Sequence, residues 1–252
     1  MLHRRLPRFV VGLSIVLVGC TLTLATSSPA FAKVNCHAAP TPSVNLHGCS
    51  LIGVDFAGAD LSGANLTHTT LNGADLSRAI LVGAKLTGAS ILNANLSNSN
   101  LTNGKLTNTE LADSNFTDAD LVKAHLERAG LAGADLSGAN VLRANLAGAE
   151  LSGANLSSAK FVDAKLLGAD LSSAKLIGAH FEGAILTRAD LADANLTGVT
   201  LFKAKLIDAN LTSANLTGAT LVHANLSGAK LSGVTWTGAS CPHGSLAGPL
   251  GC

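Results

Sequence analysis

The residues best suited to chemistry stand together near the start of the regular part of the chain. Cys36, His37, His47 and Cys49 supply thiolate and imidazole groups of the kind that hold zinc. Their spacing is not that of a familiar zinc finger, and in an oxidising compartment two such cysteines favour a disulfide. We therefore expect oxidised cysteines here, and no bound metal or other cofactor.

Carboxylates, amides and histidines recur along the rest of the chain at equivalent positions of a repeat. Asp or Asn precedes many of the regularly spaced leucines, so an acid–base dyad would have to be picked from many equivalent residues. The histidines also occupy outward repeat positions, as solvated substitutions do: His68, His125, His180 and His223. This pattern predicts no catalytic residue.

The repeat that carries these residues has a period of five. From Leu46 to Trp236 every fifth residue is apolar, and the residue two before it is small, usually Ala. Five matches neither the 3.6 residues of a helical turn nor the two-residue alternation of a strand, so the chain must turn in every unit. We expect the apolar and small residues to point inward, with core examples at Leu61, Phe116, Leu136, Phe161, Phe181 and Trp236.

Two columns of residues twenty apart indicate that four units make one coil. Six apolar residues follow a central residue directly and share one twenty-residue register; we name them the apolar column: Val82, Val122, Leu142, Val162, Phe202 and Val222. A second register collects Lys85, Lys105, Lys165 and Lys205, together with His125. At ~4.8 Å per stacked coil, about ten coils over residues 46–240 predict a rod of about 45 to 50 Å.

Tandem units such as Ala134-Asp135-Leu136-Ser137-Gly138 and Ala154-Asn155-Leu156-Ser157-Ser158 resemble the pentapeptide-repeat family. Nearly forty consecutive units match, over about four-fifths of the chain. The resemblance implies an all-β fold, a right-handed quadrilateral β-helix. The family includes quinolone-resistance proteins that bind DNA gyrase as DNA-like dimers, and exported members of the periplasm or thylakoid lumen.

The cysteines predict a clamp at each end of the helix. Residues 33–45 form the predicted N-terminal cap and residues 241–252 the C-terminal cap. Because the two ends are about 45 Å apart and a disulfide needs Cα atoms within ~7 Å, we expect the pairs Cys36–Cys49 and Cys241–Cys252.

The first 32 residues have the pattern of a secretory signal peptide. Arg4, Arg5 and Arg8 precede an apolar run, and Ala30-Phe31-Ala32 ends it with an A-x-A cleavage pattern. Cys20 stands in a lipobox-like context, so a lipid anchor there is an alternative. Without the three arginines, 14 of the 17 basic residues remain against 16 acidic ones, a net charge of about −2. That charge predicts binding to neither nucleic acid nor anionic membrane.

These features predict a non-catalytic structural or protein-interaction module, exported to the periplasm, a thylakoid lumen or the extracellular space, with no membrane span. The apolar column and the lysine column beside it form the candidate interface, for an unidentified protein partner or for a homodimer. An alternative is that outward Val simply favours β structure. The alternative function is that of a DNA-mimicking, topoisomerase-binding protein of the quinolone-resistance type.

Overall fold

The computed structural model describes residues 34–242. The predicted signal peptide, Cys20 and Cys252 lie outside the described residues. Within residues 34–242 there is no helix and no strand longer than one residue; the regular structure consists of isolated parallel β-bridges. No helix in this range is long and apolar enough to cross a membrane.

The bridges join residues twenty apart, from Asn45↔Asn65 to Thr220↔Ser240. Between these limits every fifth residue takes part, so one full turn of the coil contains four bridges and four pentapeptides. The chain is therefore a four-sided β-helix, in which each side of one coil pairs with the same side of the next.

Each pentapeptide has five structural positions, which we name in chain order. The small position is buried, the bridge position pairs between coils, the central position is buried, and two turn positions complete the unit, as in Ala134, Asp135, Leu136, Ser137 and Gly138. Burial of two residues in five follows from the alternation of side chains across each short side. The other three positions face the solvent or the neighbouring coils.

Backbone hydrogen bonds connect the coils and close each corner. The central N–H of Leu66 donates to the carbonyl of Lys85 at 2.7 Å, and the N–H of Lys85 donates to the carbonyl of Ala64 at 2.8 Å. At the corner, the N–H of Ala64 donates to the carbonyl of Leu61 at 3.0 Å, as in a β-turn. The first turn position is the one backbone N–H per unit without a backbone acceptor in this ladder.

Every corner requires a left-handed residue at its second turn position. From Ser43 to Gly238 each fifth residue has φ between 53° and 73°, and twenty-one of these residues are not glycine. A turn with positive φ only at its second central residue favours Gly or Asn. The Lys and Arg residues at this position therefore adopt a backbone conformation that is unfavourable for them.

The interior is filled by ladders of aliphatic side chains. Leu61, Leu136 and nearly all other central residues are buried, and Phe161 stacks on Phe181 with ring centroids 4.7 Å apart. Polar side chains at the small position make hydrogen bonds within the interior: the hydroxyl of Thr69 donates to the carbonyl of Leu66 at 2.6 Å. Within residues 34–242 the interior therefore contains no set of converging polar groups of the kind that catalysis needs.

The ends of the coil differ from its middle. Cys36 and Cys49 form a disulfide with Cα atoms 5.5 Å apart, beside the first coil. At the other end the core is less covered, because no further repeat among the described residues packs on the coil of Leu231: that side chain is exposed, and Trp236, expected in the core, packs against the core only half-buried. Cys241 is disulfide-bonded, while its expected partner Cys252 lies outside the described residues.

Candidate functional site: a charged face of the coil

The recurrent Asp and Asn at the bridge position have a structural role. Their Oδ1 accepts the otherwise unpaired N–H of the first turn position, as from Ser137 to Asp135 at 2.9 Å and from Thr197 to Asn195 at 3.1 Å. A Ser or Thr hydroxyl at the same turn often donates to the same oxygen; that of Thr197 does so at 2.6 Å. These side chains cap turns, which accounts for their repetition without any catalytic function.

The same bonds keep some carboxylates ionised. The pKa of Asp75 is lowered by hydrogen bonds from the side chain and backbone of Ser77. At Asp135, desolvation raises the pKa, but hydrogen bonds from Ser137 and Asn155 outweigh it and the pKa falls below its ordinary value. These carboxylates thus remain negatively charged in mildly acidic solution.

The cysteine and histidine cluster near the first coil contains a disulfide. Cys36 and Cys49 are bonded to each other in this disulfide, so neither supplies a thiolate to a metal ion. His47 instead packs edge-on against His68, with ring centroids 5.8 Å apart. Among residues 34–242, no group of three or more His, Cys, Asp or Glu side chains is arranged to hold a metal ion.

Two other histidines form local pairs on the surface. His125 Nδ1 lies 3.2 Å from Glu127 Oε1, and His180 Nδ1 lies 3.2 Å from Glu182 Oε1. Each pair connects residues two apart around one corner. These contacts are partly exposed and lie on different sides of the coil, so they form no common site.

The apolar column is half-buried rather than exposed. All six members, from Val82 to Val222, occupy the first turn position and are partly buried there. The large hydrophobic residues that are exposed lie elsewhere and share no register: Ile52, Ile80, Leu167, Ile177 and Leu231. The apolar column therefore offers a narrow apolar border, and not a broad hydrophobic patch.

One end of the apolar column carries polar contacts. The Lys203 ammonium lies 5.0 Å from the ring centroid of Phe202, and His223 packs edge-on against the same ring. Between Val162 and Phe202 the register is interrupted by Glu182, whose Oε2 is the one buried side-chain polar atom without a hydrogen-bond partner in the described part of the chain.

The predicted lysine column lies at the centre of a larger basic surface. We define the basic face as the side of the coil whose bridge positions run from Asn45 to Asn225, with the turn residues at its two corners. It has four acidic residues: Glu127, Asp163, Glu182 and Asp208. It carries nine of the thirteen Lys and Arg residues within residues 34–242: Lys85, Lys105, Lys123, Arg128, Arg143, Lys165, Arg188, Lys203 and Lys205. Its net charge of +5, nine positive against four negative, contrasts with the negative remainder of the coil.

These cations are available for contacts outside the chain. All nine are exposed. Within residues 34–242 the only ion pair of a Lys or Arg with a carboxylate joins Arg143 Nε to Asp163 Oδ2 at 3.6 Å. Lys85 bridges directly to Lys105, and like charges opposite each other on neighbouring strands are unfavourable. An anionic partner would relieve that repulsion.

The next two sides of the coil form an oppositely charged surface. We define the acidic edge by the two sides that follow the basic face in chain order within each coil. It consists of the bridge positions of both sides and the second turn position of the corner between them. There, nine carboxylates stand against Lys175 and Lys230, a net charge of −7: Asp55, Asp75, Glu110, Asp113, Asp135, Glu150, Asp170, Asp190 and Asp193. The twenty-residue register alone relates Glu110, Glu150, Asp170 and Asp190, whereas the corner and the next side become adjacent to them only once the coil is folded.

Comparisons with known proteins agree with this geometry. The family model "Pentapeptide repeats" matches in eight copies between residues 43 and 233. HetL of the cyanobacterium Nostoc sp., a pentapeptide repeat protein involved in heterocyst differentiation regulation, is 37% identical, with a TM-score of 0.57 over 81% of this chain and 92% of its own. No curated protein sequence matches significantly.

Two more distant structures share the repeat. A pentapeptide repeat protein of the Arabidopsis thaliana thylakoid lumen is 27% identical, with a TM-score of 0.21 over 56% of this chain and 68% of its own. QnrB1, a plasmid-mediated fluoroquinolone resistance protein, is 21% identical, with a TM-score of 0.35 over 74% of this chain and 90% of its own. The eight family matches and the continuous twenty-residue bridge register show that the chain belongs to the pentapeptide repeat family and is a non-catalytic repeat protein.

Proposed function

We propose that the chain is an exported interaction module of about ten coils that presents the basic face, bordered by the apolar column, to a protein partner. The observation that supports this most is the concentration of nine of thirteen exposed cations on one side of the coil and its two corners. Those cations have almost no ion-pair partners within the described chain. Charge held this way on a regular, preformed surface favours recognition and fast association.

The positions of the cations support the proposal further. Lys123, Arg128, Arg143, Arg188 and Lys203 occupy second turn positions, where positive φ costs a residue with a Cβ about 1–2 kcal/mol and where many other turns have Gly. Lys at the bridge position also gives up the turn cap that Asp or Asn would supply. The basic face therefore costs local stability, which is typical of functional surfaces.

Export is supported by the cysteines. A disulfide between Cys36 and Cys49 and a bonded Cys241 are stable in a compartment outside the reducing cytoplasm. Expression of the full chain, fractionation and mass measurement test this part. We expect a product beginning at Lys33 in the exported fraction, whereas full-length protein in the cytoplasm would contradict it.

Binding is tested by capture with the mature protein and two matched variants. Lys105→Gln with Lys165→Gln removes two charges from the basic face, and Lys160→Gln with Lys175→Gln removes two charges at the same repeat position on other sides. We expect proteins retained by wild type and by the Lys160/Lys175 variant to be lost with the Lys105/Lys165 variant. Equal retention by both variants would contradict a role for the basic face.

DNA mimicry has less support. A surface that imitates the phosphates of DNA must be continuously negative. The acidic edge is interrupted by Lys175 and Lys230 and by uncharged amides such as Asn95 and Asn115, and the basic face lies beside it. Inhibition of a purified topoisomerase by the mature chain would be needed to favour this function.

A further inference from the structure

The basic face and the acidic edge lie on one coil but on different sides of it. The basic face is centred on one side of the coil, and the acidic edge is centred on a corner that is not adjacent to that side. Both surfaces can therefore make contacts at the same time. A second copy of this chain carries the complement of each surface. Binding of one copy to the next would leave one unused surface of each kind at the ends.

The two surfaces also share their spacing. Both are built from bridges between residues twenty apart, so their charges repeat along the coil with the same step of about 4.8 Å. Any shift by whole coils brings rows of cations opposite rows of carboxylates again. A partner with an unrelated surface spacing would not provide this match.

Two carboxylates of the acidic edge stay ionised in mildly acidic solution. Asp75 and Asp135 accept hydrogen bonds from their own turns, and the pKa of each is lowered for the reasons given above. Glu110 and Glu150 on the same edge are exposed. The edge therefore presents accessible carboxylates to the ammonium groups of a partner.

We infer that the protein associates side by side with copies of itself, the basic face of one copy lying against the acidic edge of the next. This inference rests on the proposed function and names its partner as a second copy of this chain. The contact is heterologous, since each copy uses two different surfaces, so assembly continues beyond a dimer. The contacts are solvent-exposed ion pairs, so the association is weak and salt-dependent.

Charge reversal with complementation tests the inference on the mature protein. Lys105→Glu with Lys165→Glu makes the basic face less positive, and Glu110→Lys with Glu150→Lys does the opposite to the acidic edge. Both exchanges introduce residue types that the bridge position already holds elsewhere in the chain. Arg78→Glu with Lys160→Glu is the control, with the same change in net charge at positions outside both surfaces.

Sedimentation velocity at about 20 mM and about 500 mM salt measures the outcome. We expect wild type and control to form species larger than dimers at low salt, and each reversal variant alone to associate about tenfold more weakly. An equal mixture of the two reversal variants should regain association, because each supplies the charge that the other lacks. Circular dichroism confirms that each variant is folded.

Three results would overturn the inference. These are a wild type that stays monomeric at low salt, a dimer that is insensitive to Glu110→Lys with Glu150→Lys, and folded reversal variants that fail to associate when mixed. In each of these cases, the proposed function would still hold if wild type captures a different protein that the Lys105/Lys165 variants fail to capture. Conversely, if the captured proteins are retained by those variants while self-association is intact, the proposed function is wrong and the inference of self-association still holds.

Discussion

At the residue scale, the most informative side chain is the Asp or Asn at the bridge position. It supplies the acceptor for the single backbone N–H that the ladder between coils leaves unpaired in each unit. Some of these side chains also connect coils, as where Asn155 Nδ2 donates to Asp135 Oδ1 at 3.1 Å. A residue that looks suited to acid–base chemistry is thereby explained as a turn cap.

The cap makes a direct prediction for Asn195. Asn195→Ala removes the acceptor of the N–H and hydroxyl of Thr197, and should lower the free energy of unfolding by about 1 kcal/mol. Urea denaturation followed by circular dichroism measures this difference. Lys105→Ala, at the same repeat position without a cap to lose, is the control and should change stability by less. An equal loss in both variants would contradict the capping role.

Lowered carboxylate pKa values predict how stability depends on pH. The pKa of Asp135 is lower in the folded chain than in the unfolded chain, so its contribution is present above about pH 4 and is lost as the pH falls through the folded value. Asp135→Asn keeps the Oδ1 acceptor but does not titrate. Its unfolding free energy should therefore fall less steeply than that of wild type below about pH 4. Parallel curves in pH-dependent urea denaturation would show that this carboxyl contributes nothing.

At the scale of the element, the corner sets the limits on composition. Its second turn residue is left-handed in every unit from Ser43 to Gly238, and Gly, Asn and Asp meet that requirement at low cost. Arg and Lys do not, and five of the six that occur there border the basic face; the sixth is Arg78. The corners that carry Lys or Arg are therefore places where surface charge is present at a cost in local stability.

Arg188 provides a test of that exchange. Arg188→Gly should raise the unfolding free energy by about 0.5–1 kcal/mol. Relief of the backbone strain at φ 59° stabilises the folded chain, and the greater freedom that Gly gives the unfolded chain offsets part of this gain. Arg188→Ala removes the charge but keeps the strain, so it should leave stability nearly unchanged. Thermal denaturation of the pair separates strain from charge, and a Gly variant no more stable than the Ala variant would show that the corner is not strained.

At the scale of the whole molecule, much of the fold was predictable from sequence and part of the surface was not. The five-residue period fixed which residues are inward, and columns such as Lys85 and Lys105 indicated the twenty-residue step because each coil repeats the last. The partial burial of the apolar column could not be read in this way, because the period marks its position as outward and only the folded corner shows how far each side chain is covered. The same is true of Trp236, whose incomplete burial follows from its place in the last described coil.

The one-dimensional stacking of coils gives the last prediction. Leu136 is completely buried in the middle of the ladder, and Leu136→Asp places a carboxylate without partners between the coils on either side. Because stability in such a fold is transmitted between neighbours, the damage should spread to several coils and lower the unfolding free energy by at least about 3 kcal/mol. Hydrogen exchange should report the loss on both sides of the substitution, with protection retained best near the Cys36–Cys49 disulfide. Leu231→Asp is the matched control: the same change at an exposed central position of the last coil should cost far less, and equal losses would mean that the central residues do not share one continuous core.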